Sequence, residues 1–269
     1  VTDVLVSVLI MSLLGLLLSI GLAVAYRKLK VEEDPRVEKI SEILPQVNCG
    51  ACGYSGCRAF AEAVVKGIAP ANGCPVGGNE VAKEIALIIG TEAGRIERKV
   101  ARIHCRGTIE AAKSKGIYRG INTCRAAHIV GGNKECMYGC LGFGDCVKSC
   151  PFDAMRMGDD GLPIVLEDKC TACGECVKAC PRNIIDLQPV SQNIMVFCRS
   201  LDPPAVARRI CKNACIACNI CVRACPEAIV LENNLAVIRD YSKIDPEKIP
   251  HIEKCPTGAI GRIDKEKGL

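Results

Sequence analysis

The chain has 269 residues, a formal net charge of +5, 21 cysteines, no tryptophan, four phenylalanines and five tyrosines. That length allows one or two ordinary domains, and so few aromatic side chains exclude large aromatic cores. So many thiols exclude an ordinary soluble intracellular composition and point to small modules stapled by metal, whose binding would contribute to folding.

At the N-terminus, Val4 to Tyr26 reads VLVSVLIMSLLGLLLSIGLAVAY, 23 residues without a charge. As a helix rising about 1.5 Å per residue it would cross a bilayer core of about 30 Å. Arg27, Lys28 and Lys30 follow and Asp3 precedes, so the positive-inside rule places the rest of the chain in the cytoplasm. A cleaved signal peptide is the alternative, with Ala23-Val24-Ala25 as its cleavage site. No basic residue precedes the apolar run, however, and the run is long for a signal; a retained anchor is expected.

A short amphipathic helix is predicted from Pro35, with Val37, Ile40 and Ile43/Leu44 on one face. It leads into Cys49, Cys52, Cys57 and Cys74, spaced C-x2-C-x4-C-x16-C, with Gly50, Gly53 and Gly56 letting the backbone curl so that thiolates converge. A helix is predicted from Cys57 to Ile68, and a turn over 69–73 delivers Cys74. One cubane cluster is the expected content, with a zinc knuckle as the alternative.

Further on, Cys-Pro pairs recur at Cys150, Cys180, Cys225 and Cys255, in steps of 30, 45 and 30 residues, suggesting two ferredoxin-like modules of two halves each. Strand-like pieces follow each proline: Ala154-Met155, Ile184-Ile185, Ala228-Ile229-Val230 and Gly258-Ala259-Ile260. Cys170, Cys173, Cys176 and Cys180 fit C-x2-C-x2-C-x3-C-P, the iron-sulfur run in which the fourth cysteine serves the other cluster. Disulfides rarely repeat such a spacing, and structural zinc usually takes two separated C-x2-C pairs.

The crossed rule assigns Cys136, Cys140, Cys146 and Cys180 to one cluster and Cys170, Cys173, Cys176 and Cys150 to another. In the second module Cys215, Cys218 and Cys221 pair with Cys255. Asp245, Lys248 and His251 stand where the partner half would carry its trio, so that module is expected to be incomplete, with Cys225 a buried free thiol. Cys105, Cys124, Cys198 and Cys211 remain. They flank the first ferredoxin module on both sides, and either a fifth cluster or buried thiols would account for them.

Catalytic motifs are absent from the sequence: Gly139 to Gly144 is Gly-rich but sits inside the cysteine framework, and no Walker lysine or Ser-His-Asp arrangement is present. His104, His128 and His251 read as surface residues or as neighbours of ligands. Basic residues gather at Arg95, Arg98, Lys99, Arg102 and Arg106 and at Arg208, Arg209 and Lys212. They would form solvated helix faces or a docking surface for an acidic ferredoxin. Nucleic-acid binding is not expected, since no aromatic residues interleave with these charges.

In the order of its parts the chain resembles the B subunit of the Rnf complex, the ion-translocating ferredoxin:NAD oxidoreductase. The resemblance covers nearly the whole chain and rests on the N-terminal anchor, CGACGYSGC with Cys74, ECMYGCLGFGDCVKSCPFDA at 135–154, and the ferredoxin runs after it. It implies an electron-transfer subunit with no catalytic site of its own, anchored by one helix in the inner (cytoplasmic) membrane. Such a subunit takes electrons from reduced ferredoxin and passes them along 4Fe-4S clusters toward membrane and flavin subunits of a complex that moves sodium or protons. Related complexes that reduce a redox-sensing regulator are the alternative.

The expected fold is α+β: a transmembrane helix (1–30), a small helical iron-sulfur module (31–90), a connecting segment (91–134), a two-cluster ferredoxin-like domain (135–188), an incomplete one-cluster ferredoxin-like domain (189–262) and a tail (263–269). Four clusters are expected, and a fifth on Cys105, Cys124, Cys198 and Cys211 if those thiols are not simply buried.

Overall fold

The computed structural model describes residues 2–29, 34–94 and 97–264. Helix α1 (Thr2–Leu29) is uninterrupted, as a proline-free run of Leu, Ile and Val allows. Among the described residues nothing packs against its segment Val4–Lys28. At about 1.5 Å per residue those 25 residues reach roughly 37 Å.

Three helices make the first cysteine module: α2 (Pro35–Ile43), α3 (Cys57–Val65) and α4 (Gly78–Ile89). Asp34 caps α2, its carboxylate accepting the Arg36 N–H at 2.9 Å, and Pro35 supplies the first turn. The apolar stripe Val37, Ile40 and Leu44 packs with Phe60, Val64 and Ile85 into a small core. α3 stops at Val65, three residues short of the expected Ile68, because Gly67 adopts a φ of +70° and turns the chain out of the helix.

Beyond α4 the order is β1 (Lys99–Ile103), α5 (Cys124–Ile129), α6 (Asp145–Lys148), β2 (Met155–Met157), β3 (Pro163–Val165), α7 (Glu175–Ala179), β4 (Ile185–Pro189), β5 (Ile194–Val196), α8 (Pro204–Ile210), α9 (Ile220–Ala224), β6 (Ile229–Glu232), β7 (Leu235–Ile238), α10 (Ile249–Ile252) and β8 (Ile260–Arg262). Each strand belongs to a two-stranded antiparallel ladder: β1 with β4, β2 with β3, β5 with β8, and β6 with β7. The β6–β7 hairpin turns through Asn233 and Asn234, both at positive φ, the turn that suits strand twist.

Two of the ladders, β1–β4 and β5–β8, are long-range. Ile103 lies opposite Ile185, and Val196 opposite Ile260, so the connecting segment and the chain's end are both tied to the ferredoxin-like body.

One core surrounds Ile103, Leu162, Ile184 and Ile185, and another surrounds Ile210, Ile229, Ile252 and Ile260. Small and aliphatic side chains fill both, as the composition requires.

The first basic run does not form a helix face. Arg95 lies outside the described residues, Lys99 and Arg102 sit on strand β1, and Arg102 is fully buried, its Nη1 2.5 Å from Glu167 Oε1. Burial follows from the position of β1, which is covered on one side by β4 and on the other by the 166–170 turn that carries the acid. Arg98 and Lys99 remain exposed, as do Arg208 and Arg209 on α8 and Lys212 after it.

Candidate metal centres

The first cysteine group is local. Asn48 accepts the Cys57 N–H at 2.9 Å and closes the loop between them, while Gly50 and Gly53 take positive φ within it. A methyl group at either would force an L residue into the left-handed region. Cys49, Cys52, Cys57 and Cys74 then line a single hollow, with the Gly77 N–H donating to Cys74 Sγ at 3.4 Å.

A second group joins two halves of the chain. Cys170 and Cys173 lie on the turn before α7, Cys176 on its first turn, and Cys150 just after α6; each of Cys173 and Cys176 feels the charge of Cys150 and Cys170. Backbone amides face this group too, Ala154 donating to Cys150 at 3.4 Å and Ala101 to Cys170 at 3.5 Å.

For the next eight cysteines the structure differs from the spacing-based expectation. Cys140, Cys146 and Cys180 line one hollow, and the fourth thiol there is Cys124, not Cys136. Cys136 lines another hollow with Cys105, Cys198 and Cys211. A methyl group at Gly139 would lie 3.4 Å from Cys136 Sγ and 3.7 Å from Cys105 Sγ, which locates both sulfurs on the same side of that loop.

Backbone pairing explains the exchange. The stretch 111–115 is held between two distant segments: Lys115 donates to Asn133 and Glu135 to Lys113 on one side, Lys113 donates to Ile210 and Lys212 to Ala111 on the other. Cys136 leaves this arrangement beside Cys211 and Cys105. Meanwhile α5, capped by Thr123 Oγ1 on the Ala126 N–H at 3.2 Å, is tied to α6 by the Arg125 N–H donating to Asp145 Oδ2 at 3.1 Å. That tie, with Ala127 and Leu141 packed beneath, brings Cys124 beside Cys146. No local spacing motif carries either feature.

The last group, Cys215, Cys218, Cys221 and Cys255, lines a hollow roofed by Val196, Ala236 and Ile260. Asp245, Lys248 and His251 lie on a 3-10 turn and α10, with Lys248 and His251 exposed and Ile252 filling the core. Cys225 lines none of the hollows; it is buried among Ile229, Ala228 and Ile252. Of the histidines, His128 and His251 are exposed, whereas His104 is buried beside Cys105, with Nδ1 2.7 Å from Val196 O and Nε2 3.1 Å from Asp186.

Electrostatics show what the thiols lack. Burial, followed by repulsion from neighbouring thiolates, pushes Cys146 and Cys176 up to about 12 and Cys221 up to about 11. Burial also pushes Cys198 up to about 12, against N–H groups of Cys215 and Ser200 that favour the thiolate. Cys255 goes the other way: burial raises it, but the Thr257 amide and hydroxyl and the amides of Ile260 and Ala259 bring it below the ordinary thiol value. Four thiolates crowded in one hollow therefore call for a cationic partner.

A single ion does not fit these groups, because among the described residues no three His, Cys, Asp or Glu side chains converge closely enough to hold one. Four of the groups line hollows enclosing about 340 to about 420 Å³, open space included, with amides aimed at sulfur. Four soft thiol donors around a space wider than an ion suit a cubane iron-sulfur body.

The five groups also touch in one order. The first meets the second where Lys178 Nζ lies 3.5 Å from Cys49 O and Cys173 feels Cys49. The second meets the third through Cys176 and Cys146. The third meets the fourth through Cys140 and Cys105, and the fourth meets the fifth where the Cys215 N–H donates to Cys198 Sγ at 3.4 Å.

Comparison with known proteins agrees with this cysteine architecture. A family described as "Putative Fe-S cluster" matches residues 44–76, and two described as "4Fe-4S dicluster domain" match 134–185 and 169–229. The B subunit of the Na(+)-translocating ferredoxin:NAD(+) oxidoreductase complex of Acetobacterium woodii is 47% identical over 96% of this chain and 77% of its own length. The proton-translocating counterpart of Clostridium ljungdahlii is 44% identical over 94% of this chain and 90% of its own length. The B subunit of the ion-translocating oxidoreductase complex of Methanosarcina acetivorans is 39% identical over 77% of this chain and 78% of its own. With an apolar N-terminal helix, 4Fe-4S ferredoxin-like domains and relatives of this kind along nearly its whole length, the chain belongs to the family of B subunits of ion-translocating ferredoxin:NAD oxidoreductase (Rnf) complexes.

Proposed function

We propose that this chain is the multi-station electron relay of such a complex, anchored in the inner membrane by α1 with its body on the cytoplasmic side. It would take electrons from reduced ferredoxin and hand them to the other membrane and flavin subunits while the complex moves an ion. The single observation that carries this reading is the order in which the five cysteine groups adjoin one another among the described residues, from the Cys49 group to the Cys255 group.

The residues proposed to hold clusters are Cys49, Cys52, Cys57 and Cys74; Cys150, Cys170, Cys173 and Cys176; Cys124, Cys140, Cys146 and Cys180; Cys105, Cys136, Cys198 and Cys211; and Cys215, Cys218, Cys221 and Cys255. Bound there, 4Fe-4S clusters supply one-electron carriers whose potentials follow charge, burial and hydrogen bonding at sulfur. The chain's part is to fix their sequence, to exclude water with aliphatic side chains and to aim amides at the sulfurs. The modules proposed are 31–90, 135–188 and an incomplete 189–262, the last keeping one group because α10 occupies the place of a second.

Exposed Arg98, Lys99, Arg208, Arg209 and Lys212 supply positive charge suited to an acidic donor. Membrane anchoring rests on α1, whose apolar side chains from Val4 to Tyr26 are not covered by any of the described residues.

The test is anaerobic iron and sulfide analysis of the full chain, followed by reduction with ferredoxin while magnetic resonance is recorded. About 20 irons per chain, at about four per cubane, and spin coupling between reduced neighbours are expected. Colourless, iron-free folded protein would overturn the reading.

A further inference from the structure

The described residues include three buried side chains that can carry positive charge, and two of them have an acid at hand: Arg102 pairs with Glu167, and His104 with Asp186. The third, Lys134, does not. It is 6% exposed, and its Nζ donates to Gly107 O at 2.6 Å, with no carboxylate partner among the described residues. A buried ammonium without compensating negative charge is costly, so its environment must supply that charge in another form.

Two cysteine groups supply it. Lys134 lines the hollow of Cys105, Cys136, Cys198 and Cys211, and the Gly107 that accepts its hydrogen bond donates its own N–H to Cys105 Sγ at 3.4 Å. Its charge favours the thiolate of Cys211 on that side and of Cys140 in the adjoining group. The backbone bridge between Lys134 and Ser114 fixes the side chain's origin between the two groups. Neither end hollow, that of Cys49 or that of Cys218, has a basic residue in its lining.

Resting on the reading of the cysteine groups as cluster sites, we propose that Lys134 is a positioning residue that raises the reduction potential of the third and fourth stations of the row, which it lies between, so that an electron in the row rests there. Reduction adds one electron and one negative charge to a station, with no bond made or broken. A fixed positive charge in a low-dielectric setting stabilises that reduced state. Positive charge lies near the end groups too, Lys178 near Cys49 and Arg106 near Cys255, but Lys178 is exposed and screened by water and Arg106 is only half-buried, so the buried charge of Lys134 weights the energy of the row toward the stations it adjoins.

The test is a potentiometric titration of the anaerobic, iron-replete full chain, read by electron paramagnetic resonance, in the wild type and in Lys134→Met, Lys134→Gln and Lys134→Arg. In the two neutral variants the midpoints of part of the signal are expected to fall so that the reduced-to-oxidised ratio at fixed potential drops about tenfold or more, about 59 mV for one electron. Lys134→Arg should stay near the wild type. Unmoved midpoints in iron-replete neutral variants, or an equal shift in Lys134→Arg, would overturn the proposal. Should the neutral variants lose iron, retention of iron by Lys134→Arg supports a requirement for charge, and equal loss in all three refutes it. A wild-type chain short of iron would instead count against the reading of the five groups.

Discussion

The N–H of Cys140 donates to Sγ of Cys105 at 3.4 Å across 35 residues of chain, and these two cysteines line different hollows. This contact joins the third and fourth groups and fixes which sulfurs belong to each. Cys124→Ser is therefore expected to alter the station of Cys140, Cys146 and Cys180, and Cys136→Ser the station of Cys105, Cys198 and Cys211. Combining each with Cys180→Ser in resonance spectra checks this. Cys124→Ser with Cys180→Ser should affect one station and Cys136→Ser with Cys180→Ser two; the reverse pattern would restore the assignment made from spacing.

Arg102 and Glu167 tie β1 to the turn that begins the Cys170 run, and the Arg102 Nε and Nη2 have no hydrogen-bond partner among the described residues. Replacing Glu167 with Gln leaves a guanidinium buried without its counter-charge. A loss of about 3–5 kcal/mol is expected from chemical denaturation, with the station of Cys170 failing first on dilution into denaturant. A loss below about 1 kcal/mol would mean that the pair contributes as little as an exposed one.

Cys225 is 3% exposed and packs in the core next to Ile229, outside every hollow. Cys225→Ala should keep the iron and sulfide content of the wild type and lower stability by about 1 kcal/mol through the small cavity it leaves. Loss of about four irons would make this thiol a ligand.

Iron removal by an anaerobic chelator should unfold much of the body, because buried or half-buried thiols pack against each of its three main cores. Circular dichroism during chelation would show helix and strand signal falling together with the visible absorbance. Retention of the full far-ultraviolet signal after iron loss would show that aliphatic packing alone suffices.

Local spacing makes most of three cysteine groups legible, because Cys49 to Cys57, Cys170 to Cys176 and Cys215 to Cys221 each lie within ten residues of chain, where neighbouring sulfurs cannot avoid sharing a space. The repeat of Cys-Pro at 30 residues adds the crossing partners Cys150, Cys180 and Cys255. The apolar run that becomes α1 and the stripe that becomes the buried face of α2 are read the same way, from periodicity within one segment.

Tertiary structure alone decided the exchange of Cys124 and Cys136, the burial of Arg102 and the placement of Lys134. Hydrogen bonds among 111–115, 133–135 and 210–212 hold Cys136 beside Cys211, and the tie from α5 to Asp145 moves Cys124 into the place spacing gave to Cys136. Segments up to about a hundred residues apart supply the ladder bonds through backbone groups that nearly every residue type carries, and the tie to α5 uses the Asp145 carboxylate. A sequence window therefore records which thiols share a loop, and ladder pairing between distant segments determines which loops meet.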